Sequence, residues 1–294
     1  MATFGAASTA EEVTEGIDLR GTTWLVTGVN SGLGEETARV LGLRGAHVIG
    51  AARTEEKAAA ALQRLGIEGT PVACELSDLE SVRACVAAVE ALGRPLRGII
   101  ANAGIMALPT LQQRDGVELQ LYTNHVGHFV LVTGLLDRLE PNGRVVMLSS
   151  GAHFRAREQG LELDNLLGER DYEAWRMYGR SKLANILFAR SLARRFAADG
   201  SGRTANAVHP GVIETNLARH VADAETLFAS MRDRMKTVAQ GAATQCYVAT
   251  RPELAEVSGR YFSDCDVAEA LPQASDDALA DELWARTEEI VARA

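Results

Sequence analysis

At 294 residues, 47% of them hydrophobic, the chain can hold one large α/β domain or two small ones around a substantial core. Its net charge of −9 and pI near 5.3 oppose a nucleic-acid or anionic-membrane surface. Four scattered cysteines, Cys74, Cys85, Cys246 and Cys265, form no CxxC pair, and no apolar run reaches the length of a membrane span. A soluble, cytoplasmic protein with reduced thiols and no bound metal is expected.

Residues 1–18 carry Glu11, Glu12 and Glu15 and lack the basic start of a secretory signal; they read as a loosely held arm before a single domain over 19–294. Short apolar runs then alternate with helical patterns, which predicts parallel strands joined by helical crossovers. Strands are expected over 23–27, 46–51, 71–74, 98–101, 144–149, 205–209 and 260–262. Helices are expected over 33–44, 55–65, 79–92, 117–139, 173–198 and 239–249, with a terminal helix over 276–294. Thr54 and Asp78 are suited to cap two of them.

The first strand runs into Thr27-Gly28-Val29-Asn30-Ser31-Gly32-Leu33-Gly34, and a helix follows. Glycines there allow a tight turn and bring backbone N–H groups to a pyrophosphate at the helix N-terminus. The spacing is GxxxGxG rather than GxGxxG. After the second strand stands Arg53, with no acid to take the adenosine ribose hydroxyls. Its planar guanidinium suits a 2′-phosphate, with Ser31 and Lys57 able to assist, so NADP is preferred and NAD is the alternative. A plain surface role for Arg53, offset by Glu55 and Glu56, is the competing reading.

Tyr178 and Lys182 lie four residues apart in one helix and so share a face. An ammonium beside a phenol lowers the phenol's pKa from about 10, and a shift of roughly three units requires about 4 kcal/mol. Such a pair is more often a solvated face. The motifs around it change that reading. Asn102-Ala103-Gly104, Asn124, Ser150 and Tyr178-x-x-x-Lys182 follow the glycine loop in order. This set resembles the short-chain dehydrogenase/reductase superfamily over nearly the whole chain. Asn124-His125-x-Gly127-His128-Phe129, Ser181-Lys182-Leu183-Ala184-Asn185 and His209-Pro210-Gly211 resemble its retinol dehydrogenase and WW-domain oxidoreductase branch.

The resemblance implies a Rossmann-type, doubly wound sheet of seven parallel strands in the order 3-2-1-4-5-6-7, with the site at their carboxyl ends. It implies an enzyme interconverting a ketone or aldehyde with its alcohol on an apolar, ring-containing small molecule. Tyr178 would be general acid and base, Lys182 would tune it and hold the nicotinamide ribose, and Ser150 would bind the substrate oxygen. Asn124 would hold a relay water. Gly28, Asn30, Ser31, Gly32, Leu33 and Gly34 would cradle the pyrophosphate, and Asn102, Ala103 and Gly104 would flank the ribose. Pro210, Gly211, Ile213 and Thr215 would run beneath the nicotinamide. Glu75-Leu76 replaces the family's Asp-Leu at the adenine, and Ala101 replaces an Asn. A homodimer or homotetramer through the helices of Asn124 and Tyr178 is implied. A non-catalytic NADP sensor of the same fold is the rival reading, and retention of all four catalytic residues opposes it.

Ser149, one residue from Ser150, should face the opposite way and be structural. His125, His128, His153 and His209 fit no zinc spacing and read as packing or capping groups, with His153 alone retaining a place near the substrate cleft. Trp175 and Met177 read as core or cleft wall. The stretch 212–238, with Leu227, Phe228, Met231 and Met235 among charges, reads as an amphipathic lid.

Overall fold

An eight-stranded sheet forms the centre of the computed structural model, which describes residues 4–221, 228–229 and 231–294. Strands β1 (Thr23–Thr27), β2 (His47–Ala52), β3 (Gly69–Ala73), β4 (Leu96–Ala101), β5 (Leu139–Leu148), β6 (Thr204–His209) and β7 (Tyr261–Ser263) are parallel and lie in the order 3-2-1-4-5-6-7. The expected count of seven is corrected by β8 (Asp266–Val267), which returns antiparallel to β7. Asp264 and Cys265 both have positive φ, 54° and 61°, and this two-residue turn folds the edge back on itself. All five residues of β1 are buried, as a strand covered on both faces requires.

Helix α1 (Gly32–Leu43) leaves β1, α2 (Glu55–Leu65) joins β2 to β3, and α3 (Leu79–Ala91) joins β3 to β4. Thr54 accepts from Lys57 N at 3.4 Å and Asp78 accepts from Glu80 N at 3.1 Å, so both expected caps form. The helix expected over 117–139 is broken up. Val117–Glu118 pairs with Gln113–Arg114 as a small ribbon, because Asp115 and Gly116 adopt positive φ and turn the chain. Then come a short helical turn Leu119–Leu121, a π-helical segment Tyr122–Val126 and α4 (Gly127–Gly134). Beyond lie α5 (Ala174–Asp199), α6 (Ala243–Thr250) and α7 (Asp277–Arg293).

Two outer segments are tied down more firmly than their sequence suggests. The N-terminal segment is not loose: Ala10 and Val13 are fully buried, and Arg44 donates to Glu11 O at 2.8 Å and Thr14 Oγ1 at 3.1 Å. Helix α7 lies across α4 and α5, where Trp284 meets Phe129 and Phe188 with ring centroids 4.8 and 5.6 Å away. His125 Nε2 and Thr287 Oγ1 are 3.0 Å apart in the same contact. The faces through which an oligomer was expected are therefore partly covered by the chain itself. Of the expected lid, residues 222–227 and 230 lie outside the described residues; on its flank, Val212 bridges to Met235, with Lys236 N donating to Val212 O at 2.8 Å.

Candidate active site

The carboxyl ends of β1 to β5 open into a cleft of about 340 Å³. Gly28, Asn30, Ser31, Gly32, Leu33, Arg53, Glu75, Leu76, Asn102, Ala103, Gly104 and Thr215 all line it. Backbone approach governs its floor. A Cβ on Gly34 would stand 2.3 Å from Gly28 O, so no larger residue lets α1 start this close to β1. Ser31 gives α1 no side-chain cap, and the first N–H groups of the helix are left for a ligand's oxygens.

Thr27, to which no role was assigned, organises the floor. Its Oγ1 accepts from Asn102 N and Ala103 N, each at 2.9 Å, and stands 3.0 Å from His128 Nε2. His128 Nδ1 is 3.0 Å from Asn124 O, a group that only accepts, so Nδ1 carries the proton and Nε2 accepts from the Thr27 hydroxyl. Burial holds His128 neutral, with its pKa lowered to about 4. A chain of uncharged hydrogen bonds thus joins the β1 floor to the turn that carries Asn124.

Asn124 sits in the π-helical segment and is fully buried. Its Oδ1 accepts from Ile105 N at 2.8 Å, while Nδ2 donates to Ile105 O and Ser181 Oγ, both at 2.9 Å. A Cβ on Gly104 would meet Asn124 Oδ1 at 2.9 Å and Lys182 Nζ at 3.6 Å, so this glycine admits both groups to the edge of the cleft. Lys182 Nζ donates to Leu148 O at 3.0 Å and lies 5.5 Å from the Tyr178 ring centroid. Ser150 caps the 3₁₀ turn Gly151–Ala156, its Oγ accepting from Ala152 N at 3.1 Å. Ser149 faces away and donates to Lys182 O at 2.8 Å, a structural role.

Among the protein's own groups, burial pushes the Tyr178 phenol above its ordinary pKa, and hydrogen bonding to the Ser150 side chain opposes that only in part. The same burial lowers Lys182 to about 7, which weakens the cation meant to depress the phenol. Glu75 lines the cleft and also bonds locally. Its longer side chain turns back, Oε1 accepting from Ser77 Oγ at 2.8 Å and Ser77 N at 3.1 Å. Gly34, Asn124, Ser150, Tyr178, Lys182, Pro210, Gly211 and Ile213 lie outside the lining of the cleft, whereas Asn216, Leu217 and Arg219, which follow Thr215, form part of it. Arg219 joins Arg53 there, and the two cations lie close enough that Arg53 helps to lower the Arg219 pKa, after burial.

The 28-residue gap between Ser150 and Tyr178 becomes a docked loop. Arg180, inside the Tyr-x-x-x-Lys motif and fully buried, donates to Leu161 O at 3.0 Å, Glu162 O at 3.0 Å and Asn165 O at 3.1 Å. Arg176 pairs with Glu162 at 2.6 Å, and Tyr172 Oη donates to Leu108 O at 2.7 Å. Nothing in the sequence marked Arg180 as buried, since Arg176 and Lys182 stand four and two residues away. No group of three or more His, Cys, Asp or Glu suited to a metal occurs among the described residues.

A glycine-cradled cleft at the ends of a doubly wound sheet, with Asn124 and Lys182 packed behind Gly104 and Tyr178 beside Lys182, defines a nucleotide-binding oxidoreductase architecture. A family model described as enoyl-(acyl carrier protein) reductase matches residues 28–250. Short-chain dehydrogenase TIC 32 A of Brassica napus, named as chloroplastic, is 42% identical over 96% of the chain and 92% of its own length. Human retinol dehydrogenase 11 is 38% identical over 92% of the chain and 86% of its own length. A crystal structure of a protein from Mycobacterium paratuberculosis superposes with a TM-score of 0.78 at 34% identity, covering 97% of each chain. A short-chain dehydrogenase of Burkholderia cenocepacia in complex with NADP gives 0.65 at 25% identity, covering 84% of this chain and 97% of that one.

The chain belongs to the short-chain dehydrogenase/reductase superfamily, in the branch that holds the retinol dehydrogenases. It is an NAD(P)-dependent oxidoreductase of that family, and no helix among its described residues is long and apolar enough to cross a membrane.

Proposed function

We propose that the chain interconverts a ketone or aldehyde with its alcohol on an apolar, ring-containing small molecule, using NADP in preference to NAD. The observation that supports this reading is the succession of Asn124 and Lys182 behind Gly104, which lines the cleft, then Tyr178 beside Lys182 and Ser150 beside Tyr178. Asn30, Ser31, Gly32 and Leu33 would hold the pyrophosphate, Asn102 and Ala103 the adenosine ribose, and Thr215 the carboxamide. Arg53 and Arg219 suit a 2′-phosphate. The nicotinamide, when bound, supplies the hydride.

The chain's own groups handle the proton. The Ser150 hydroxyl donates to the substrate oxygen and fixes its position. Burial keeps Tyr178 protonated, which supports its role as general acid toward a developing alkoxide. Lys182, near neutrality at a pKa of about 7, can replace that proton from the Asn124 side. Ile105, Leu108, Leu119 and Leu148 give the substrate end an apolar wall. A cytoplasmic location and a homo-oligomeric state belong to the same proposal; fractionation and light scattering test them.

Tyr178→Phe tests the reading. NADPH oxidation against panels of steroids, retinoids, quinones and aromatic carbonyls should fall by roughly 10³-fold, with NADPH affinity changed less than about threefold. Undiminished turnover would remove Tyr178 as the proton donor.

A further inference from the structure

We propose that His153 and His209 are positioning residues for Ser150, gripping the Ser150–Gly151 peptide group at its two ends with imidazoles in opposite roles. The proposal rests on the reading of Ser150 as the group that meets the substrate oxygen.

His153 Nδ1 lies 2.7 Å from Ser150 O, and its Nε2 lies 3.2 Å from Leu271 N. A carbonyl only accepts and an amide N–H only donates, so the proton sits on Nδ1 and Nε2 is the acceptor. His209 has the other arrangement. Its Nδ1 accepts from Gly151 N at 3.0 Å, which leaves the ring proton on Nε2. Ser150 C=O and Gly151 N–H belong to one planar peptide unit. One imidazole donates to its oxygen and the other accepts from its nitrogen, so the plane cannot rotate without breaking a hydrogen bond.

That plane sets the direction of the Ser150 side chain, whose Oγ is further fixed by Ala152 N at 3.1 Å. The restraint comes from distant parts of the chain: the turn after β5, the end of β6 and the segment at Leu271. His153 is fully buried and lies edge-on to Tyr261 with centroids 5.0 Å apart, so its ring has no freedom to swing. A Cβ on Gly151 would come within 3.3 Å of His209 Nε2, which shows how closely the ring abuts this turn.

Burial favours the neutral form of both rings, and neutrality is what the opposed roles require. The charges facing His209 are Lys236, paired with Asp264 at 2.5 Å, and His153 itself whenever it is protonated. Protonating His209 would turn its acceptor into a donor aimed at Gly151 N–H. Neither ring takes part in proton transfer; both act through Ser150.

Amide replacements test the roles by position, because Asn carries its polar atoms where the imidazole δ nitrogen stands and Gln where the ε nitrogen stands. His209→Asn should keep an acceptor for Gly151 N and retain kcat within about threefold. His209→Gln should lower kcat by roughly 10- to 100-fold with the KM for NADPH unchanged, since a displacement near 1 Å can cost that much. His153→Asn should likewise exceed His153→Gln, because only Asn can donate to Ser150 O. Equal activity of the Asn and Gln variants at both sites would overturn the proposal.

A second measurement does not depend on turnover. Imidazole ¹⁵N spectra of the wild-type protein should show His153 protonated on Nδ1 and His209 on Nε2, and the same tautomer at both sites would overturn the grip. Ser150→Ala separates the two readings: full turnover in that variant removes Ser150 from the chemistry, while opposite tautomers in the spectra would still establish the grip itself.

Discussion

The nucleotide cleft and the loop between Ser150 and Tyr178, which the proposed function places at the substrate end, are built by different means. At the nucleotide end the backbone does the positioning: Gly34 admits Gly28 O, the N-terminus of α1 is uncapped, and Thr27 fastens two adjacent amides. At the substrate end, the 3₁₀ turn and loop between Ser150 and Tyr178 are held by side chains that reach across, chiefly Arg180, Arg176, Tyr172 and His153. A backbone-built site tolerates little variation in residue type. A loop held by long side chains can change its wall while keeping its anchors, which suits a region that selects substrates.

Acid tests whether both ends depend on buried neutral groups. His125, His128, His153 and His209 all have pKa values lowered by burial, and His128 and His209 fall to about 4. The unfolded chain, with histidines near 6.5, binds more protons than the fold between pH 6.5 and 4, so stability is complete above 6.5 and falls as pH drops through that window. Each group contributes up to about 1.4 kcal/mol per pH unit, and together they should lower stability by several kcal/mol at pH 5. Thermal melts between pH 7.5 and 5 read this; a constant midpoint would mean that the rings are protonated in the folded state.

Arg180→Leu should break the substrate end alone. It leaves three carbonyls without their donor, at a cost of roughly 3 kcal/mol, or about 6–12 °C in midpoint for a chain of this size. Limited proteolysis should then cut within 157–173 while NADPH still binds. Cuts elsewhere, or lost NADPH affinity, would show that the two ends are not independent. Arg53→Ser should touch only the nucleotide end, raising the KM for NADPH by roughly 10- to 100-fold through the loss of a charge-assisted contact, with little change for NADH. Equal effects on both cofactors would place the 2′-phosphate elsewhere, with Arg219 the first candidate.

The same division explains what could be read from the sequence. The strand order came with the family resemblance, whereas the glycine loop and Asn102-Ala103-Gly104 were legible because each is a backbone requirement that restricts residue type. Thr27 was not, since a threonine ending a buried strand has the same appearance whether or not it accepts two amides. The helix expected over 117–139 missed the ribbon because Asp115-Gly116 lies just outside the apolar run, and its π-helical segment has no compositional mark. Strand β8 is only two residues long and leaves no periodicity. The sign of the Tyr178 shift depends on how deeply the phenol and Lys182 are buried, which helical spacing does not reveal.

The contact between His125 and Thr287 spans 162 positions of the chain. At typical elongation rates of about 5–20 residues per second, the second partner is made on the order of 10–30 s after the first. During synthesis, the segment bearing Asn124 therefore waits for its last support while the rest of the sheet is already available to assemble.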